Sequence, residues 1–75
     1  MNPNRRKRLL GLLKEVEEIR SQIETIRDEE DEARDNMPEN LQETERFVNS
    51  EESSEALSTA EDYLNEAASA IEEAI

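Results

Sequence analysis

Any chemistry in this chain has to come from carboxylates, hydroxyls and guanidinium groups, because the sequence contains neither histidine nor cysteine. The missing histidine removes the commonest general base and metal donor, and the missing cysteine removes thiol nucleophiles, disulfides and the soft ligands of zinc. Serine and threonine are present, yet no motif sets a hydroxyl beside a base. The densest acidic stretch is Asp28-Glu29-Glu30-Asp31-Glu32-Ala33-Arg34-Asp35, with six carboxylates and one base in eight residues. It reads as a solvated acidic surface, with a weak divalent-cation site as the alternative. An EF-hand is excluded, since Ala33 stands where that loop needs glycine. Helical di-iron sites need Glu-x-x-His pairs, which a histidine-free chain cannot supply. No glycine-rich phosphate loop exists either, Gly11 being the sole glycine. The expectation is a protein that is not an enzyme and has no catalytic residue, cofactor or metal.

The other concentration of charge is Arg5-Arg6-Lys7-Arg8. It has three readings: a local one, in which carboxylates near the other end of the chain (Glu66, Glu72, Glu73) neutralise it, contact with a phosphate or nucleotide, and a disordered tail. Overall the balance is acidic, with a formal charge of −12, and from Asp35 onward twelve acids face the single Arg46. Such an excess repels polyanions, so nucleic acid is not an expected partner, whereas a basic protein surface is a compatible one.

The elements that must carry these groups are helices. Pro38 lacks a backbone donor and disfavours α geometry at Met37, so the segment Asp35 to Leu41 is the one hard turn. Asn36 can close one helix, and Asn40 with Glu43 has the spacing of a reciprocal cap for the next. One domain, residues 1–75, is expected: helix one over about 5–35, a turn at 36–40, and helix two over about 41–74. Residues 1–4 are expected to fray, and helix two either to run through 49–55 or to restart at Ser50.

Apolar residues at Leu9, Leu12, Val16, Ile19, Ile23, Ile26, Ala33 and Met37 alternate three and four, the rhythm of a packed seam. In that register Glu30 falls at a core position, where it could meet an arginine from a partner helix. Leu10 and Leu13 lie beside the seam as surplus apolar surface, and Gly11 would allow a close helix approach. Helix two repeats the rhythm at Leu57, Ala60, Leu64, Ala67, Ile71 and Ala74. Tyr63 flanks it, either as a half-buried aromatic or as a stacking residue for a ligand. With only Phe47 and Tyr63 as aromatics, the core is expected to be thin and aliphatic, and extra burial to come from self-association.

The stretch from Asp28 through Asn36-Met37-Pro38-Glu39-Asn40-Leu41-Gln42 resembles short, functionally unassigned helical-hairpin proteins of Gram-positive bacteria and their phages. Those carry a similar acidic helix end, an Asn-Met/Leu-Pro-Glu-Asn-Leu-Gln turn and an alanine- and glutamate-rich second helix. The resemblance implies a phage or mobile-element context and makes the turn a candidate surface, without supplying a mechanism.

The fold class expected is therefore all-α, an antiparallel helical hairpin assembling into a four-helix bundle or larger helical oligomer. The function expected is a small acidic protein-protein interaction module, homodimeric or higher. The alternatives are an acidic inhibitor or nucleic-acid mimic of a basic host or phage protein, and a binder of a small anionic ligand through the arginine cluster. Candidate partner contacts are Arg5, Arg6, Lys7, Arg8, Leu10, Leu13, Glu30, Arg34, Asp35 and Tyr63. No apolar run is long enough for a membrane span or a signal peptide, so a cytoplasmic location without membrane contact is the expectation.

Overall fold

Asn2 starts the first helix: its side-chain oxygen accepts from the Arg5 amide at 2.8 Å, and Pro3 occupies the first turn, where a missing donor costs nothing. In the computed structural model, which describes residues 1–75, helix α1 then runs unbroken over Pro3–Asp35. Capping by Asn2 thus extends the helix through Pro3 and Asn4, within the stretch expected to fray. Asn36 ends α1 in right-handed geometry, its amide donating to Glu32, while the Met37 amide donates to Arg34.

Pro38 then forces an extended residue, and Glu39–Leu41 forms a single 3-10 turn. Helix α2 spans Glu45–Ala74. The expected cap from Asn40 and Glu43 does not form. Thr44 takes that role, accepting from the Phe47 amide at 3.4 Å and donating its hydroxyl to the Leu41 carbonyl at 2.6 Å. Because Asn40 is consumed by the 3-10 turn, the cap moves four residues on and the helix begins at Glu45. Thr44→Ala should therefore lower unfolding free energy by about 1 kcal/mol in urea titrations at fixed protein concentration. Asn40→Ala should shift it by less than about 0.5 kcal/mol; the reverse order would return the cap to Asn40.

The two helices fold back on each other as an antiparallel hairpin about 60 Å long and 14 by 11 Å across its Cα atoms. There is no strand. Helix α2 is continuous through residues 49–55, so Ser50 does not restart it.

The residues of α1 shielded by α2 are Leu9, Leu13, Val16, Arg20, Ile23, Arg27, Glu30 and Arg34. They alternate four and three, but they are offset from the expected apolar register. Leu13 belongs to the seam rather than beside it, and arginines stand at every seventh position after it. Leu12, Ile19 and Ile26, expected in the seam, are instead 51, 49 and 54% exposed. On α2 the shielded set is Phe47, Ser50, Ser54, Leu57, Glu61, Leu64, Ala68 and Ile71, with Ala60 half-shielded at its edge, while Ala67 and Ala74 stay exposed.

The expected aliphatic core is accordingly absent from the single hairpin. No apolar side chain is fully buried, and the three buried residues are Ser50, Ser54 and Glu61. Nor does Gly11 serve a close approach: a Cβ there would meet nothing within 4 Å.

Candidate interaction face

The turn-proximal half of the hairpin is closed by a polar seam. Arg34 reaches across from α1, its Nη1 donating to the Ser50 carbonyl (3.1 Å), the Ser50 hydroxyl (3.3 Å) and the Ser54 hydroxyl (2.8 Å). Its Nη2 donates to Asp31 one turn earlier at 2.8 Å. The Ser50 hydroxyl in turn donates to Glu30 Oε1 at 2.7 Å. Small serines let a long guanidinium lie between two helices, and charge-assisted bonds satisfy what it would otherwise leave unpaired. The Ser54 hydroxyl, and after it the Arg34 guanidinium, holds the Asp31 carboxyl below its ordinary 3.8.

Two turns away, Arg27 Nε lies 3.3 Å from Glu61 Oε2. Glu61 is only 7% exposed, yet neither of those two atoms makes an aligned hydrogen bond. The contact is a through-space ion pair, and Arg27 also leans towards the exposed Asp28.

Beside this seam lies an open apolar face. At about 100° per residue, Leu12, Ile19, Ile26 and Ala33 sit about 60° to one side of Leu9, Val16, Ile23 and Glu30. On α2, Arg46, Ser53, Ala60, Ala67 and Ala74 bear the same relation to Ser50, Leu57, Leu64 and Ile71. Because the helices are antiparallel, the two flanking rows emerge on the same side of the hairpin. A shallow groove near the turn confirms this, since Ala33 from one row lines it together with Arg46 and Ser53 from the other. One broad side of the rod thus carries large apolar residues along α1 and alanines along α2.

The residues singled out from the sequence are dispersed over this frame. Arg5, Lys7 and Arg8 are exposed and unpaired at the tip, and none of the four bases pairs with Glu66, Glu72 or Glu73. Arg6 alone is engaged, donating to the carbonyls of Ile75 (3.2 Å) and Met1 (3.1 Å). Leu10 is exposed, Leu13 is enclosed by the hairpin, and Asp35 is exposed at the end of α1. Glu30 and Arg34 do come together, through Ser50 and within one chain. Tyr63, read either as a half-buried aromatic or as a stacking residue for a ligand, is 67% exposed on α2.

Four residues of the seam, Arg27, Ser50, Ser54 and Glu61, were not singled out. The signal for Arg27 was the recurrence of arginine at 20, 27 and 34 in phase with Leu13.

No cluster of acidic side chains is arranged to hold a metal ion, and no helix is long and apolar enough to cross a membrane. No family model matches the chain, and neither the curated proteins nor the solved structures contain a match to it.

Proposed function

We propose that this chain is a protein-protein interaction module whose first partner is a second copy of itself. The observation that carries the reading is the combination of a hairpin with no buried apolar side chain and a one-sided apolar face at heptad spacing. Two helices of this length cannot gain enough from a seam that is polar near the turn and only partly shielded aliphatic beyond it to offset the conformational entropy of ordering them. Burying each half-exposed Leu or Ile of the face would return about 1 kcal/mol, a share of the 1.5–3 kcal/mol for complete burial. Stacking two such faces converts the hairpins into a four-helix bundle, the smallest assembly that encloses an apolar interior. The acidic outer surface then remains for any further, basic protein partner.

The test is absolute mass by light scattering over a wide range of protein concentration, at low and high salt. A whole multiple of the 8.7 kDa chain mass, persisting in high salt, is expected for an apolar interface. A folded 8.7 kDa species at every concentration would overturn the reading.

A further inference from the structure

The apolar face by itself accepts a second copy in either of two orientations, with the two turns at the same end or at opposite ends. In the first, the large residues of α1 lie over the alanines of the other copy's α2. In the second, α1 lies over α1. Both bury the same stripes, so the choice falls to charge.

That distribution is lopsided along α1, while α2 is acidic at both ends, with Glu66, Glu72 and Glu73 at the tip end. Residues 1–14 of α1 and its cap hold five bases and no acid, whereas residues 28–35 hold six acids and one base. Between Asp28 and Glu52, around the turn, there are eleven carboxylates and only Arg34 and Arg46. Arg34 is already committed to Ser50, Ser54 and Asp31, so the turn end has almost no internal neutralisation. At the opposite tip, Arg5, Lys7 and Arg8 have no ion-pair partner within their own chain.

From this we infer that the second copy packs antiparallel, its turn lying over the basic tip of the first, about a two-fold axis that crosses the rods near Ile19. The inference rests on the proposed self-association and specifies its geometry. Setting Ile19 against Ile19 of the second copy brings Leu12 onto its Ile26. The same register carries residues 5–8 of each α1 over residues 30–33 of the other, so each basic tip meets an acidic helix end. The interface is isologous, with two identical electrostatic contacts for each apolar one at the axis. The parallel alternative stacks the two acidic turns side by side, and like charges brought together at an interface are strongly disfavoured.

The experiment uses the absence of cysteine. Asn40→Cys in the otherwise intact chain places one nitroxide label at the exposed turn, clear of the apolar face, and dipolar electron resonance reads the distance between copies. Opposite turns on rods 60 Å long should give a distribution centred beyond about 45 Å. Turns at the same end, with helices packed 8–10 Å apart, would give one within about 25 Å and overturn the antiparallel orientation while leaving self-association standing. Loss of intermolecular coupling together with a monomeric mass for the labelled and unlabelled chains would overturn both.

Discussion

Ile19→Asp is expected to leave the protein monomeric at concentrations where the parent chain is associated. In the antiparallel arrangement this position meets itself at the two-fold axis, so one substitution removes both isoleucines of that contact and sets two carboxylates face to face in a desolvated interface. Loss of the apolar area accounts for about 2 kcal/mol over the pair of sites, and the apposed charges add to it. Association should weaken by roughly a thousandfold or more, since each 1.4 kcal/mol is a factor of ten. Light scattering across a dilution series checks it, and Thr25→Asp on the exposed back of α1 is the matched control, adding the same charge outside the face. If both variants dissociate, net charge rather than the face controls assembly. If neither does, the interface lies elsewhere.

The second large effect concerns Arg27 and Glu61. Glu61→Ala leaves the Arg27 guanidinium in the seam without its carboxylate. Breaking a buried pair costs about 3–5 kcal/mol. Arg27 keeps 27% of its side chain exposed and can turn towards Asp28, so about 2–3 kcal/mol is the expected loss in urea or thermal unfolding. The double change Arg27→Leu with Glu61→Leu should be neutral or stabilising, because two leucines need no desolvation of charge. The diagnostic result is this reversal of sign. A double variant as unstable as Glu61→Ala would mean that the pair contributes net stability rather than correcting a cost it introduces. The double variant should also lose uniqueness, visible as mixed masses, because a more uniformly apolar seam fits more than one arrangement.

Helix content, the position of the turn and the hairpin topology were legible in the sequence because Pro38 and the helix-favouring composition act locally. The cap was misplaced for a local reason too: Asn40 and Glu43 have the right spacing, but the 3-10 turn after Pro38 uses Asn40 before a helix can start on it. The seam was harder. Apolar periodicity marked Leu9, Val16 and Ile23 correctly. It then assigned Leu12, Ile19 and Ile26 to the same interface, because a heptad pattern records every apolar surface a helix will bury, without saying which neighbour buries it. The polar pairing of Arg34 with Ser50 and Ser54 settles that division, and it depends on residues sixteen and twenty positions apart, which periodicity along one helix cannot connect. Tyr63 looked half-buried beside an alanine seam and is largely bare because that side of α2 is not covered by α1.

The serines opposite Arg34 have a mechanical consequence. Knobs of leucine in a long hairpin can creep past one another by whole heptads, since each step exchanges one greasy contact for a similar one. Here a seven-residue creep of α2 would hand Glu61 to Arg34, but would leave Arg27 against Leu64 and Ala68 and move Ser50 and Ser54 beyond the reach of any guanidinium. The polar contacts therefore act as a ratchet tooth, holding two rods of similar length in one longitudinal setting and so fixing which residues at the end of α2 lie beside the tip at Arg5.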